Sequence, residues 1–139
     1  MSKEKDIIIS LGSNFEAKEN IEFAKRKLYI ILGEETIFTK EIWTDPIGMD
    51  SDRFLNCLCF SKTTHTLQQI TKAFKKIEKQ RLRSRKNDLL NRITLDIDIL
   101  QYEDTKYHLQ DWKRAYVKKL YADYHDNMEE SIIIDPTIK

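Results

Sequence analysis

The stretch "ITLDIDILQY" (residues 93–102) decides the fold, because it reads as a β-strand that carries two aspartates. Aspartate is disfavoured in strands, and successive side chains of a strand point to opposite faces. The alternation predicts a core face with Ile93, Leu95, Ile97 and Ile99 and a solvent-facing side with Thr94, Asp96, Asp98 and Leu100. Both acids therefore face the same way.

Two carboxylates on one strand face, about 7 Å apart, repel each other unless a cation or a basic group lies nearby. Mg²⁺ suits such a pair, because it prefers hard oxygen ligands and is often shared with nucleotide phosphates. An amphipathic strand with acids on its outer face is the simpler interpretation of Asp96 and Asp98. This stretch alone leaves both interpretations open.

A basic segment precedes the strand, "KKIEKQRLRSRKNDLLNR" (75–92). Guanidinium groups beside a carboxylate pair that holds Mg²⁺ are what phosphoryl transfer requires, since they neutralise phosphate oxygens. A solvated basic helix end, favourable at a helix C-terminus, explains the same segment equally well. The glycine-rich loops of P-loop and kinase nucleotide sites are absent from the sequence.

Working outward, the hydrophobic pattern predicts alternating strands and helices. A capping box of Thr66 and Gln69 marks the start of the second helix. The predicted strands span 6–12, 35–43, 54–62 and 93–102, the helices 16–32, 66–81 and 111–125, and a short strand or extended tail 131–135. The β-α-β-β-α-β order indicates an α+β, ferredoxin-like fold: an antiparallel sheet with helices on one face, followed by a C-terminal helix and short strand.

The 139 residues suit a single domain, 1–139, with a sizeable core. Charged residues make up 34% of the chain with a net charge of +1, so no overall field points to nucleic acid or to an anionic membrane. No signal-peptide core or membrane-spanning stretch is found in the sequence, so we expect a soluble, cytoplasmic protein. Cys57 and Cys59 are expected to be buried core residues rather than metal ligands.

Several motifs together resemble the 6-hydroxymethyl-7,8-dihydropterin pyrophosphokinase family. They are "LGSN" (11–14), "TDPIG" (44–48), "FLN" (54–56), "IEKQRLRSR" (77–85) and "TLDIDIL" (94–100), in the family's order and with similar spacings. The resemblance implies a ferredoxin-like fold and transfer of pyrophosphate from ATP to the pterin hydroxymethyl group in folate synthesis. It also implies two Mg²⁺ ions and small-molecule partners, ATP and a reduced pterin, with no obligate protein partner evident.

Carried over residue by residue, the resemblance assigns metal binding to Asp96 and Asp98. The implied pterin site comprises Thr44, Ile47, Phe54, Asn56 and Tyr116, with the Asn56 amide on the pterin edge and the rings of Phe54 and Tyr116 on either side of it. The implied ATP-binding residues are Glu78, Arg83, Arg85, His108 and Arg114. Arg83 and Arg92 join the two aspartates as implied catalytic residues.

The chain departs from the family mainly on the ATP side. Ile93 stands where an arginine is common, and Arg92 lies one position earlier, where a shift within a strand would turn the side chain to the other face. These departures keep open a pterin- or nucleotide-binding relative with weak or no transferase activity. The basic segment keeps open a ferredoxin-like nucleic-acid-binding module, against which the near-neutral charge argues.

Overall fold

The computed structural model describes the backbone of residues 3–134 and the side chains of residues 3–126. The elements follow in the order β1 (Lys5–Ser13), α1 (Ala17–Leu32), β2 (Ile37–Phe38), β3 (Ile42–Thr44), β4 (Phe54–Thr63), α2 (Leu67–Gln80), α3 (Arg85–Leu89), β5 (Asp96–Tyr102), β6 (Thr105–Lys106), a 3₁₀ turn (Asp111–Lys113) and α4 (Ala115–Ile134). None of the helices in this part of the chain is long and apolar enough to cross a membrane.

The strands form one antiparallel sheet in the order β2-β4-β1-β5-β6, with β3 also paired to β4. This arrangement confirms the predicted ferredoxin-like α+β fold. The segment predicted as one strand over 35–43 is instead two short strands, β2 and β3. The predicted loop over 82–92 contains the short helix α3, which Ser84 caps by accepting a hydrogen bond from the Asn87 amide at 3.1 Å.

One face of the sheet packs against α1 and α2 and holds the main core. Cys57 and Cys59 lie in this core as buried free thiols, as predicted. Burial raises the pKa of Cys57 to about 12, so its thiol stays protonated and packs as a small apolar group. The predicted capping box is also confirmed, because Thr66 and Gln69 exchange hydrogen bonds of 2.9 and 3.1 Å at the start of α2.

The opposite face carries a second apolar cluster, in which α4 packs on the sheet through Val117 and Leu120. Leu100, predicted to face solvent, lies fully buried in this cluster, and Thr94 is buried as well. The prediction was wrong there because strand alternation shows which side chains share a face, not what covers it. The predicted strand over 131–135 was also wrong, since 131–134 continue α4 and Asp135 lies outside the described residues.

Strands β4, β1 and β5 lie side by side at an open surface, at the end of the sheet that α4 does not cover. Gly12 on β1 pairs with Asn56 on β4 and with Asp96 on β5. Two residues earlier on β1, and on the same face, Ser10 lies opposite Leu58 and Asp98. A Cβ atom at Gly12 would lie 3.2 Å from Asn56 Oδ1. The missing side chain therefore leaves a shallow floor between an amide and a carboxylate.

Candidate active site

The two strand acids form the centre of the candidate site. Asp96 and Asp98 point to the same face of β5, where their side chains remain 41% and 25% exposed because α4 covers only the part of the face nearer Leu100. Burial, and after it the negative charge of Asp96, raises the pKa of Asp98 to about 8. An ordinary carboxyl titrates near 4, so this position disfavours a second negative charge and favours a bound cation.

A cavity of about 180 Å³ opens beside the acids. It brings together residues from five separated stretches of the chain, and all five residues of the expected pterin site line it. Its lining comprises Ser10, Gly12, Thr44, Asp45, Ile47, Met49, Phe54, Asn56, Asp96, Asp98, Asp111, Arg114 and Tyr116. The cavity therefore joins an aromatic and amide-lined surface to the carboxylate pair.

Asn56 is a buried polar group of this cavity. Its Nδ2 donates to Thr44 Oγ1 at 2.7 Å and to the backbone oxygens of Phe54 and Ile42 at 3.3 and 3.4 Å. The hydrogen bonds described for this side chain all use Nδ2, which leaves Oδ1 above Gly12 to accept a bond from a ligand. On another wall, burial raises the pKa of Tyr116 to about 12, so its phenol is neutral at physiological pH.

A second cavity, of about 260 Å³, lies on the other side of Asp98. It is lined mainly by apolar side chains of α2 and β5 and by the loop after β6: Leu67, Thr71, Phe74, Lys75, Ile97, Asp98, Ile99, Tyr107 and His108. Asp98 lines both cavities. Of this lining, only Asp98 and His108 were predicted as site residues, because Leu67 and Phe74 carry the same signal as any core stripe of a helix.

Arg83 connects the basic segment to the carboxylate pair. Its Nη1 donates to Asp96 Oδ1 at 3.3 Å and to the Leu95 carbonyl at 3.1 Å. Its Nε and Nη2 form a bidentate pair with Asp88 at 2.7 and 3.1 Å. The Asp88 carboxylate thus fixes the guanidinium, and the guanidinium fixes Asp96.

Glu78 supports the site from behind the strand. It is buried, and its Oε2 accepts a hydrogen bond from the Ile97 amide at 2.8 Å and lies 4.0 Å from Arg83 Nη1. Burial raises the pKa of Glu78, although the Ile97 hydrogen bond opposes that shift. The residue lines neither cavity, so its contact is with the backbone between the two aspartates.

Two of the expected site residues are not brought to the acids. Arg92 places its guanidinium 5.4 Å from the centre of the Phe15 ring and lines a separate hollow with Asn14 and Asp50. Two hydrogen bonds fix the neighbouring register, from the Ile93 amide to Asn14 Oδ1 at 2.6 Å and from the Asn14 amide to the Ile93 carbonyl at 3.0 Å. Arg85, the first residue of α3, is exposed.

His108 and Arg114 do reach the site. His108 Nε2 lies 3.8 Å from Asp98 Oδ1, and Arg114 Nε donates to Asp111 Oδ1 at 2.9 Å. Asp111 is a further carboxylate of the first cavity, which Asp45 also lines, and it was not predicted; its only sequence signal is the three-residue spacing to Arg114. Asp98, His108 and Asp111 offer ligand atoms that all lie within 4.8 Å of one another.

The donor set fits a hard divalent cation. Carboxylate oxygens at two strand positions, exposed to a cavity and backed by an arginine, suit Mg²⁺ with water or phosphate in its remaining positions. The pKa of Asp98 is raised chiefly by burial and next by the charge of Asp96, so a cation at this place would favour its ionised form. Asp98 belongs both to this strand pair and to the cluster with His108 and Asp111, so it is the carboxylate that the two groupings share.

Comparison with known proteins gives one family. The family model for 7,8-dihydro-6-hydroxymethylpterin-pyrophosphokinase (HPPK) matches residues 8–126 of the 139-residue chain. No curated protein gives a significant match to the sequence. The matched range contains every residue that lines the two cavities.

Proposed function

The chain belongs to the 7,8-dihydro-6-hydroxymethylpterin-pyrophosphokinase family, and from this premise we propose that it transfers the terminal pyrophosphate of ATP to 6-hydroxymethyl-7,8-dihydropterin and releases AMP. The observation that carries the proposal is the place of Asp98, which is the one residue that lines both cavities. A reaction that joins parts of two substrates needs such an arrangement, because both reacting groups must reach one point.

The cavity of Asn56 is proposed to take the pterin. Asn56 Oδ1 accepts a hydrogen bond from the edge of the bicyclic ring, and Thr44 Oγ1 keeps the amide in the required orientation through its 2.7 Å bond. The rings of Phe54 and Tyr116 and the side chain of Ile47 supply apolar surface for the faces of the heterocycle. The hydroxymethyl group then points toward Asp96 and Asp98.

The cavity of Leu67 and Phe74 is proposed to take the adenosine of ATP. Its apolar lining suits a purine ring, and its open side ends at Asp98 and His108. Arg114 on the first cavity and Arg83 beside Asp96 are proposed to supply positive charge for the phosphates. We assign Glu78 to holding β5 in place, and Arg85 to the outer end of the nucleotide path.

Asp96 and Asp98 are proposed to hold two Mg²⁺ ions, which would favour deprotonation of the hydroxymethyl oxygen and neutralise phosphate charge. The hydroxymethyl oxygen attacks the β-phosphorus, and the bond from that phosphorus to the oxygen that bridges it to the α-phosphorus breaks. AMP leaves with the bridging oxygen, and the hydroxyl proton passes to solvent. Arg83 fixes Asp96, and Arg114 balances charge on the phosphate oxygens.

A weaker transferase, or a relative that only binds the substrates, is the second candidate. It is favoured by Arg92, which lies against Phe15 and away from the carboxylate pair. In that case pterin and nucleotide bind, but little AMP forms. The family match leaves the nucleic-acid-binding module without a supporting observation.

The test combines turnover and binding. The protein is mixed with Mg²⁺, ATP and 6-hydroxymethyl-7,8-dihydropterin, and AMP and the pterin diphosphate are measured by chromatography. Transfer predicts AMP formation that Asp96→Ala and Asp98→Ala abolish and that Asp104→Ala, an exposed acid outside both cavities, preserves. Calorimetric binding of the pterin without AMP formation would favour the second candidate, and no binding of either substrate would refute both.

A further inference from the structure

Arg114 and Asp111 form an ion pair on the wall of the first cavity. Arg114 uses its Nε, which donates to Asp111 Oδ1 at 2.9 Å. Within the described part of the chain, this is the only carboxylate within 4 Å of the Arg114 guanidinium. Because the bond is made through Nε, the two Nη groups at the end of the guanidinium stay available. Arginine binds phosphate oxygens through two such parallel N–H donors.

The backbone around Asp111 is fixed by other contacts. The Asp111 amide donates to the His108 carbonyl at 2.8 Å, and the Arg114 amide donates back to the Asp111 carbonyl at 3.0 Å. Trp112 anchors this turn to the sheet, because its Nε1 donates to the carbonyls of Leu100 and Tyr107 at 3.0 and 3.1 Å. Asp111 is thus a fixed acceptor, and the long Arg114 side chain is the part that must be oriented.

Helix stability does not account for this pair. Arg114 immediately precedes Ala115, the first residue of α4, where a positive charge is unfavourable for the helix dipole. Its side chain is 36% exposed, and half-exposed ion pairs three residues apart contribute little to folding. Both side chains line the cavity that also holds Asp96 and Asp98.

We propose that Asp111 is a positioning residue that holds Arg114 by its Nε and so presents the two Nη groups to the phosphates of ATP. This inference rests on the proposed function. Since Asp111 and Arg114 together carry no net charge, the contribution of Asp111 is orientation rather than attraction. Asparagine keeps an oxygen that accepts the Nε bond, whereas alanine removes it.

The experiment measures by calorimetry how tightly a non-hydrolysable ATP analogue binds in the presence of Mg²⁺. Where turnover is observed, the effects of each substitution on the KM for ATP and on kcat are compared. Asp111→Ala is expected to raise the Kd of the analogue about tenfold, whereas Asp111→Asn should stay within about twofold of the wild type. The double variant Asp111→Ala/Arg114→Ala should bind no more weakly than Arg114→Ala alone, because both changes remove one interaction. Asp123→Ala, which removes a half-exposed acid of α4 paired with Lys40 and Lys119, is the matched control and should bind normally.

The outcomes separate the two proposals. A wild type that neither binds the analogue nor forms AMP would refute the proposed function and this inference with it. If the wild type binds the analogue, three results would refute the positioning role and leave the proposed function standing. The first is weaker binding by Arg114→Ala with unchanged binding by Asp111→Ala. The others are additive losses of affinity in the double variant and normal binding by Arg114→Ala. The ¹⁵N–¹H signal of Arg114 Nε adds a readout that is independent of activity, and it should be lost in Asp111→Ala and kept in Asp111→Asn.

Discussion

Asn56 and Asp96 lie on the same rung of the sheet, with only Gly12 between them. The distance between the two functional side chains is therefore fixed by backbone pairing across three strands, and the absence of a side chain at the middle position opens the cavity floor. In the proposed pterin site, the sheet itself would bring a ring held by the Asn56 amide toward the Asp96 carboxylate. The rigid sheet positions the chemistry, as expected of sites built on strands.

Gly12→Ala should weaken pterin binding without unfolding the protein. The new Cβ would lie 3.2 Å from Asn56 Oδ1, and the Gly12 backbone does not lie in the left-handed region, so alanine is tolerated by the chain but not by the ligand. We expect the Kd of the pterin to rise about tenfold, with a small change in melting temperature. Gly33→Ala is the control with the opposite expectation. Gly33 has a φ of 100° and open space around it, so alanine there should lower the stability of the protein and leave pterin binding unchanged. Equal pterin binding by Gly12→Ala and wild type would contradict the assigned floor.

Asp98→Asn should stabilise the metal-free protein and abolish its response to Mg²⁺. Burial raises the pKa of Asp98 to about 8, so the carboxyl destabilises the folded state at neutral pH, and its replacement is expected to stabilise the metal-free protein by about 1 kcal/mol. Thermal unfolding with and without Mg²⁺ measures both effects, with Asp104→Ala as the control acid. A Mg²⁺-induced shift that survives in Asp98→Asn would show that the metal binds elsewhere.

Glu78→Gln should gain stability over the wild type as the pH rises. Burial raises the pKa of Glu78 in the folded state above its ordinary value of 4.5, so the folded protein binds more protons than the unfolded chain between those two values. Wild-type stability therefore falls as the pH rises through that window, whereas glutamine does not titrate and still accepts the Ile97 hydrogen bond. Denaturant unfolding from pH 4 to pH 8 should show a widening difference that becomes constant above the raised pKa.

Glu78→Ala supplies the contrast to Glu78→Gln. Alanine leaves the buried Ile97 amide without its acceptor, which costs about 1–3 kcal/mol at every pH. The glutamine variant should keep the activity of the site, and the alanine variant should lose part of it through displacement of β5. A difference between Glu78→Gln and wild type that does not vary with pH would count against a raised pKa.

Arg83→Ala should reduce AMP formation far more than Arg92→Ala. Removal of Arg83 frees Asp96 and leaves Asp88 without this ion pair. Because the guanidinium fixes an acid that is proposed to bind metal, its removal is expected to lower kcat/KM about 100-fold. Arg92 lies against Phe15 in a separate hollow, so its loss should change kcat/KM by no more than about threefold. A large loss in Arg92→Ala would show that the segment after α3 rearranges when ATP binds.

The local patterns that could be read from the sequence were those that depend on neighbours along the chain. The capping box at Thr66, the burial of both cysteines and the β-α-β-β-α-β order of the main elements agree with the structure, whereas the short elements β3, α3 and β6 were not predicted. Asp111 was missed because its role depends on a turn anchored by Trp112 to the carbonyls of Leu100 and Tyr107. The second cavity was missed because its apolar lining carries no sign that distinguishes it from core.

The alternation in "ITLDIDIL" by itself determined that Asp96 and Asp98 share a face, since the two-residue period of a strand is a property of the backbone. Only the tertiary structure decided that this face is covered by α4 at Leu100 and open at the two acids, because the covering helix comes from a later segment of the chain. The same holds for the arginines. Their spacing placed them near the strand, but packing against Phe15 turned Arg92 away, while the bidentate pair with Asp88 turned Arg83 toward Asp96.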